Sequence, residues 1–472
     1  MRAALLLMGL SLALLWAWLG QHPPLIADAL TLAEVWQGLR EGAGLGHWLF
    51  SSASSLFPDL AVTALATKLG ANLLEAQRWH GFFLGVGLAW GMARLLQQLW
   101  GLPQWQARSF AAAGLILGLV LMPAQGFATV LYPGHHGWAC VLALWTWAWA
   151  LKQPEKARSW RPKLGLMLLW GLILASDRFF LLWALLPILV LSLPMLKPVR
   201  WRIALTVLGA LAVSWLAGLG LRSTGAKVGV FKWAYAQAHA QELWMAFGKA
   251  APALVLEHAW SLGIAVLGLG LWIGGALRAA RPAWALGAWA LALLASLAIC
   301  VLAGAYGRYL LFPFWMLLLM TPALFAMRWP WLGPASMLLP ALLGLLWLAR
   351  PVPAETPLEL RQAAWMDQMA EQRGLSYGIA DYFHSRPLRL FSQRSLMVLP
   401  MLTPQPDLLL PYLWVVDRRL FPDDRLQTKP QFAVMNGLDP VAVQASLGKP
   451  VEILKNEGLE LWIYKAPLKE KR

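Results

Sequence analysis

This sequence of 472 residues has little charge and little cysteine. Charged residues make up 13% of the chain, whereas soluble domains usually carry about a quarter. The two cysteines, Cys140 and Cys300, both fall in apolar runs, which excludes a disulfide framework and a cysteine-based metal site. The chain also has no compact basic domain and no DNA- or RNA-binding motif, so we expect no nucleic-acid partner.

The sequence is rich in long apolar runs. Hydrophobic residues make up 59% of the chain, its mean hydropathy is +0.56, and it has 30 tryptophans. Apolar runs of about 18 or more residues are typical of membrane spans, and indole rings collect at membrane interfaces. The predicted fold class is therefore a polytopic α-helical membrane protein.

The opening run "MRAALLLMGLSLALLWAWLGQHPP" predicts a first span with a cytoplasmic N-terminus, because no good signal cleavage site precedes Gln21. Basic loops such as "LKQPEKARSWRPK" and "LKPVRWR" then fall on the predicted cytoplasmic side. We predict about eleven spans within residues 1–350, in a bacterial cytoplasmic (inner) membrane. The later ten cover 76–98, 109–131, 137–151, 164–176, 179–196, 203–220, 253–276, 283–304, 309–327 and 331–349.

Two longer pieces are predicted outside the membrane. The first outer loop, about 21–74, contains "DALTLAEVWQGLREG" and "FPDLAVTALATKLG", two amphipathic stretches expected along the membrane surface. Residues 351–472 hold 15 of the 39 basic and 14 of the 23 acidic residues. They begin with the helical pattern "ETPLELRQAAWMDQMAEQRG" and end in the strand-like runs "FAVMNG" and "LELWIYKAP". This predicts a small α/β C-terminal domain on the extracytoplasmic, periplasmic side.

Polar residues inside the apolar part gather at the predicted outer face. Asp177 and Arg178 interrupt "LILASDRFFLLWALLP" at a turn between two spans. Charged groups at membrane depth are expensive and usually face a cavity or each other, which makes them candidates for a site. The structural alternative is that Asp177 caps the helix that starts at Phe179.

Five further residues stand out at this face. "LYPGHHGWACVLALW" places His135 and His136 at a second outer turn, where they could bind a phosphate, a metal or a hydroxyl, or could simply be interfacial. Arg308 in "GAYGRYLLFPFW" could hold a phosphate or extend to lipid headgroups. Asp28 and Asp59 each begin a helical stretch of the first outer loop, where stabilisation of the helix dipole is the alternative to chemistry.

This layout resembles the GT-C superfamily of integral-membrane glycosyltransferases, which includes protein O-mannosyltransferases, lipid A aminoarabinose transferases and oligosaccharyltransferase catalytic subunits. The resemblance covers most of the chain: a first span with a cytoplasmic N-terminus, a long first outer loop, about a dozen spans and an outer C-terminal domain. The elements "FPDL", "HHG", "SDRFFLLWALLP", "GRYLLFP" and "YGIADYFHSRPL" also look like those of uncharacterised bacterial membrane proteins of this general type, a likeness of pattern that assigns no substrate. The stretch "DALTLAEVWQGLREG" matches the position of the family's catalytic acid, with Ala29 where a second acid usually stands. "DYFHSRPL" shares only Asp381 and Tyr382 with the oligosaccharyltransferase signature "WWDYG".

The resemblance implies a GT-C-like fold and transfer of a sugar from a polyprenyl-phosphate-linked donor to an acceptor that is a glycan, a lipid or a protein. A carboxylate would take the acceptor's proton; Asp28 is the first candidate and Asp59 the second. Arg308 and Arg178 would place positive charge on the departing phosphate, with Asp177 orienting Arg178. The other residues expected at the substrate are His135, His136 and Tyr309. Some members of the superfamily use a divalent cation such as Mg or Mn and others do not.

Two other functions fit the composition. A transporter or lipid flippase would carry polar residues near the middle of its spans, and often inverted repeats. A non-catalytic GT-C-like scaffold would bind a partner through residues 351–472, and Ala29 in place of an acid fits a decayed site.

Overall fold

The computed structural model describes most of the chain and is mostly helical. The chain divides into two compact units. The helical unit comprises Met1–His22, Ser52–Gly220 and Val230–Val352, and the sheet unit comprises Pro23–Ser51, Leu221–Gly229 and Pro353–Arg472. The described residues are 2–23, 25, 27–50, 55–70, 72–121, 130–134, 136–152, 161–192, 197–228, 287, 289–294, 296, 311–350, 356–405, 407–413, 416–421 and 428–464.

Helices dominate the described residues. A π-helical segment, Leu181–Leu185, directly precedes the α-helix Leu186–Ser192. In chain order the α-helices are α1 (Arg2–Gln21), α2 (Ala27–Arg40), α3 (Asp59–Leu69), α4 (Leu73–Trp100), α5 (Gln104–Leu121), α6 (Gly137–Lys152), α7 (Arg161–Ser176), α8 (Leu186–Ser192), α9 (Lys197–Ser223), α10 (Leu311–Arg328), α11 (Gly333–Leu348), α12 (Leu358–Arg373), α13 (Tyr382–Phe391) and α14 (Pro440–Leu447).

Local sequence explains where the longest of these helices begins and ends. The side chain of Asn72 accepts a hydrogen bond from the backbone N–H of Glu75 and so caps the start of α4. Gly101 ends the helix with φ +63°, in the left-handed region that glycine adopts without steric cost. The helix therefore runs for 28 residues between two residues that suit its termini.

Small residues set the packing of α5 against α10. A Cβ added at Gly114 would lie 2.4 Å from the carbonyl oxygen of Leu319, and one added at Gly118 would lie 2.4 Å from the ring of Trp315. Glycines four residues apart share one face of a helix, and such faces let two apolar helices approach closely. The "GLILG" stretch thus packs α5 onto α10 in the helical unit.

Three of the described helices are long and apolar enough to cross a membrane: Ala4–Gln21, Arg200–Ser223 and Pro330–Leu348. The prediction of about eleven spans is not supported by the described residues. Some predicted spans are too short, since α6 has 16 residues and a helix of that length covers only about 24 Å. The predicted span 253–276 and most of 283–304 lie outside the described residues.

The sheet unit contains the described strands of the chain. They are β1 (Trp48–Phe50), β2 (Lys227–Val228), β3 (Tyr377–Ala380), β4 (Met397–Gln405), β5 (Leu408–Pro411), β6 (Val416–Asp417), β7 (Phe432–Val434), β8 (Glu452–Asn456) and β9 (Leu459–Ile463). Six of them form a mixed sheet in the order β5-β4-β3-β7-β9-β8. Strand β3 is parallel to β4 and β7, whereas β9 is antiparallel to β7 and β8. A smaller sheet has the order β2-β1-β6.

Sequence patterns locate several of these elements correctly. The predicted C-terminal helix corresponds to α12, and the two strand-like runs correspond to β7 and β9, so the small sheet region predicted at the C-terminal end is confirmed. Helix α2, expected along the membrane surface, instead packs against α13 and buries its apolar residues within the sheet unit. The apolar face of α2, which we expected to contact lipid, is thus covered by other residues of the sheet unit.

Candidate functional site

Asp59 lies in the helical unit, on the first turn of α3. Its side chain is 9% exposed, and its Oδ1 accepts a hydrogen bond from the backbone N–H of Gly134 at 3.1 Å. Gly134 has φ +73° and belongs to the "PGHHG" turn. Asp59 therefore fixes the turn that carries the histidine pair.

A histidine that the sequence analysis did not select, His80 of α4, lies beside Asp59. The indole N–H of Trp138 donates to His80 Nε2 at 3.2 Å, and His80 Nδ1 lies 3.0 Å from Thr63 Oγ1. Because an indole N–H can only donate, Nε2 is the acceptor, and we assign the ring proton to Nδ1. The 3.6 Å approach of Nε2 to Asp59 Oδ1 is then a contact of a neutral ring with a carboxylate rather than an ion pair.

Asp177 and His136 form a second buried pair. His136 Nδ1 lies 2.8 Å from Asp177 Oδ2, and the two side chains are 9% and 8% exposed. The backbone N–H of Phe179 donates to Asp177 Oδ1 at 3.0 Å, so the alternative in which Asp177 caps the following helix is confirmed. His136 has φ +64°, a conformation that residues other than glycine seldom adopt and that is enriched at functional sites.

Serine side chains and backbone groups connect these two pairs. The backbone N–H of Ser55 donates to the carbonyl of Ser176 at 3.0 Å, and the backbone N–H of Phe57 donates to Ser176 Oγ at 2.5 Å. Ser55 Oγ in turn lies 3.5 Å from the carbonyl oxygen of Gly134. We call the joined set the carboxylate–histidine cluster: Asp59, His80, His136 and Asp177.

The expectation that Asp177 orients Arg178 is wrong. Both oxygens of Asp177 are engaged elsewhere, Oδ2 by His136 and Oδ1 by the backbone of Phe179. Arg178 is exposed, and within the described part of the chain no ion pair joins its side chain to Asp177. Adjacent side chains at a turn point in different directions. The carboxylate of Asp177 therefore bonds His136, 41 positions away in the sequence, rather than its neighbour Arg178.

Asp28 lies in the sheet unit, on the first turn of α2, and is partly exposed. The hydroxyl of Tyr382 donates to Asp28 Oδ1 at 2.7 Å. Asp59 and Asp177, in contrast, are buried. Among these carboxylates Asp28 is thus the one that a substrate can approach.

Arg386 fastens α2 to α13 next to Asp28. It is 2% exposed, and its Nη1 donates to the carbonyl of Ala27 at 2.7 Å, to Thr31 Oγ1 at 2.7 Å and to the Tyr382 hydroxyl at 3.0 Å. Its Nε donates to Glu34 Oε2 at 2.8 Å. A buried guanidinium with this many acceptors is held in one position.

Glu34 bridges two arginines, because Arg389 also donates to its Oε1. Burial by itself would raise the pKa of Glu34, but the positive charges and hydrogen bonds of Arg389 and Arg386 outweigh burial and hold that pKa below its ordinary value. Burial likewise raises the pKa of Tyr382, and the negative charge of Asp28 raises it further, so the phenol stays protonated. We call this set the α2–α13 network: Asp28, Glu34, Tyr382, Arg386 and Arg389.

Sequence reasoning selected only Asp28 from this network. The pairs Asp28–Tyr382 and Glu34–Arg386 are 354 and 352 positions apart, so no local pattern reveals them. One signal was available, because Tyr382 and Arg386 are four residues apart and share a helix face. That spacing marks a polar stripe on α13 but does not name its partner.

His135, Arg308 and Tyr309 lie outside the described residues. Among the described residues, no three histidine, cysteine, aspartate or glutamate side chains come together as ligands of one metal ion would.

Comparison of this chain with protein-family models, with curated proteins and with solved structures finds no match. The resemblance to the GT-C superfamily therefore stays a prediction from the sequence motifs.

Proposed function

We propose that this chain is a glycosyltransferase that moves a sugar from a polyprenyl-phosphate-linked donor to an acceptor at the outer face of a bacterial cytoplasmic membrane. The proposal includes a GT-C-like arrangement of about eleven spans, a cytoplasmic N-terminus and a periplasmic C-terminal domain. Three described helices with the length and composition of membrane spans support a membrane location.

The observation that carries the proposal is the environment of Asp28. It is a partly exposed carboxylate, it follows the candidate span Ala4–Gln21 by seven positions, and a tyrosine hydroxyl donates to one of its oxygens at 2.7 Å. A general base must reach the proton that it removes, and a carboxylate with one oxygen fixed is oriented for that task.

The proposed reaction is a single displacement at the anomeric carbon of the donor sugar. Asp28 takes the proton of the acceptor hydroxyl while that oxygen bonds to the anomeric carbon of the sugar. The bond from this carbon to the phosphate oxygen breaks, and the phosphate leaves with the electron pair. Positive charge stabilises the leaving phosphate.

Asp59 receives a different role in this proposal. Its burial and its hydrogen bond from Gly134 suit a residue that shapes the "PGHHG" turn. A carboxylate enclosed in this way has little access to an acceptor hydroxyl, so we assign Asp59 to positioning and Asp28 to proton transfer.

The test compares wild type with Asp28→Asn, Asp59→Asn and the control Asp407→Asn, an exposed aspartate of the sheet unit, in cells whose only copy is the variant. We would measure sugar on surface glycoconjugates and the amount of polyprenyl-phosphate sugar by mass spectrometry. Asp28→Asn should express normally, lose surface sugar and accumulate donor, whereas Asp407→Asn should match wild type. Normal surface sugar in Asp28→Asn would overturn the proposed base and favour the scaffold function.

A further inference from the structure

The edge strand β5 of the six-stranded sheet presents an uncharged, apolar surface. Its sequence is "LLLP", and Leu408 and Leu410, which share one face of the strand, are both exposed. Leu402 of β4 lies directly opposite Leu410 in the register, so its side chain lies on the same face. An apolar strand that is exposed at the edge of a sheet favours contact with another surface.

Aromatic residues extend this surface past the end of β5 and onto α13. The backbone N–H of Tyr412 donates to the carbonyl of Pro400 at 2.9 Å, which continues the pairing with β4 beyond the strand. The ring of Tyr412 packs on the ring of Tyr382 with centroids 4.8 Å apart. The next residue of α13, Phe383, is 60% exposed, and its ring lies 5.3 Å from that of Tyr382. We call the following set the apolar edge patch: Phe383, Leu402, Leu408, Leu410 and Tyr412.

The opposite edge of the same sheet, β8, carries charged side chains. Glu452 pairs with Arg373 at 2.9 Å, and Lys455 pairs with Glu460 at 2.8 Å. Charges on an edge strand suit contact with water rather than with an apolar surface. Ile453 lies between these charges and is 51% exposed, so it provides a matched control for the exposed leucines of β5.

Chain connectivity keeps the apolar edge patch near the membrane. Ala27 begins α2 six positions after Gln21, where a candidate span ends, and six residues reach at most about 22 Å. Asp28, the next residue, accepts a hydrogen bond from the Tyr382 hydroxyl at 2.7 Å. The start of α13, which carries Phe383, is therefore tied to the end of that span.

A second candidate span also ends close to the sheet unit. Lys227 of β2 follows Ser223, the last residue of the candidate span, by four positions. Strand β2 pairs with β1 with Lys227 opposite Leu49, and β1 also pairs with β6. Strands cannot pair across a bilayer, because the connecting backbone would lie unsatisfied in hydrocarbon. Both spans therefore end on the side of the membrane that holds the sheet unit.

We infer that the sheet unit docks on the lipid bilayer through the apolar edge patch, with Phe383 and Leu410 at the boundary between headgroups and acyl chains. The inference rests on the membrane location in the proposed function. Aromatic rings collect at this boundary, and exposed aliphatic side chains are stabilised there by burial. The chain itself holds the patch within reach of lipid, whereas a second copy of the protein would have to be recruited to cover it.

Docking has a consequence for the proposed reaction. Asp28 is bonded to Tyr382, whose ring contacts two members of the patch, Phe383 and Tyr412. A docked patch therefore holds the start of α2 at the level of the lipid headgroups. The phosphate of a lipid-linked sugar lies at the same level, so the proposed base and the donor meet at one depth.

The direct test is photochemical labelling of the wild-type protein by lipid. Full-length protein is placed in nanodiscs of phosphatidylethanolamine and phosphatidylglycerol that include a phospholipid with a diazirine in its acyl chain, and adducts are mapped by peptide mass spectrometry. We expect adducts at Phe383 and Leu410, and also at Leu208, an exposed residue of a candidate span. Ile453 should carry none. Adducts at Leu208 without adducts at Phe383 and Leu410 would overturn the inference and leave the membrane location standing.

Quenching of a fluorescent label distinguishes lipid from a second copy of the protein. The label is attached at Phe383→Cys or at the control Ile453→Cys, each in a chain whose two native cysteines are replaced by alanine. In vesicles of the same lipids, a nitroxide on the acyl chain should quench the label at position 383 and spare the one at position 453, and aqueous iodide should do the reverse. Protection from iodide without quenching by the nitroxide at position 383 would show that protein covers the patch, and the inference would fail.

Turnover separates this inference from the proposed function. The assay measures release of polyprenyl phosphate from polyprenyl-phosphate sugars extracted from the producing cells. If Asp28→Asn keeps wild-type turnover, the transferase function is wrong, whereas the lipid adducts still decide whether the patch docks. If Asp28→Asn is inactive and the adducts at Phe383 and Leu410 are missing, the function stands and the docking inference fails.

Discussion

Removal of the negative charge that joins two arginines should strongly destabilise the sheet unit. In Glu34→Gln the side chain keeps its size, but Arg386, 2% exposed, and Arg389, 12% exposed, lose their shared anion. Loss of one partner of a buried ion pair leaves an uncompensated charge and costs about 3–5 kcal/mol. Because α2 and α13 meet through this contact, we expect that cost to appear as local opening of α13.

Hydrogen exchange at the α13 amides measures that opening. Each 1.4 kcal/mol corresponds to about a factor of ten, so protection should fall by roughly two to three and a half orders of magnitude in Glu34→Gln. The control is Glu457→Gln, which removes one partner of the pair formed with Arg361, where the side chains are 32% and 39% exposed. An exposed pair contributes about 0–1 kcal/mol, so protection should change by less than about tenfold. Equal losses in the two variants would refute the argument from burial.

The same comparison predicts a pH dependence. The pKa of Glu34 in the folded protein lies below its ordinary value of 4.5, so its stabilisation is fully present above that value and is lost as pH falls through the folded pKa. The difference in α13 protection between wild type and Glu34→Gln should be constant from pH 5 to 8 and shrink at lower pH. A difference that grows on acidification would have the wrong sign.

Three further substitutions have expected outcomes that denaturant titration in detergent can check. Gly378→Ala would put a Cβ 2.4 Å from the ring of the buried Phe432. This clash should lower the free energy of unfolding by about 1–3 kcal/mol. An unchanged free energy of unfolding would mean that β3 and β7 can move apart at little cost. Tyr464→Phe removes a buried hydroxyl that has no hydrogen-bond partner among the described residues and whose pKa burial raises to about 12. This change should be neutral or stabilise by about 1 kcal/mol. Asp177→Ala loses the cap on the backbone of Phe179 and should be about 1 kcal/mol less stable than Asp177→Asn, which retains an acceptor oxygen; equal stabilities would argue against the cap.

Local patterns predicted local structure well. "DALTLAEVWQGLREG" is helical as α2, "ETPLELRQAAWMDQMAEQRG" contains α12, and "FAVMNG" and "LELWIYKAP" contain β7 and β9. Each of these segments carries a periodicity and terminal residues that fix its conformation within a few neighbours. The cap formed by Asp177 on Phe179 is of the same kind, since it joins residues two positions apart.

What could not be predicted depends on partners distant in the sequence. Apolar composition suggested about eleven spans, but it does not distinguish a helix that faces lipid from one that packs inside protein. Asp177 was assigned to its neighbour Arg178, whereas the fold gives it to His136, 41 positions away. The face of α2 that looked suited to lipid is covered by α13, whose Arg386 reaches Glu34 across 352 positions.

The discontinuous make-up of the sheet unit has a consequence for biosynthesis. Glu34 leaves the ribosome 352 residues ahead of Arg386, which at about 5–20 residues per second means a delay of roughly 18 to 70 seconds. Throughout that interval α2 has no α13 to cover it, and its apolar face is open to chaperones and proteases. A chain that terminates before Arg386 never supplies the arginines, so closure of this unit requires translation past α13.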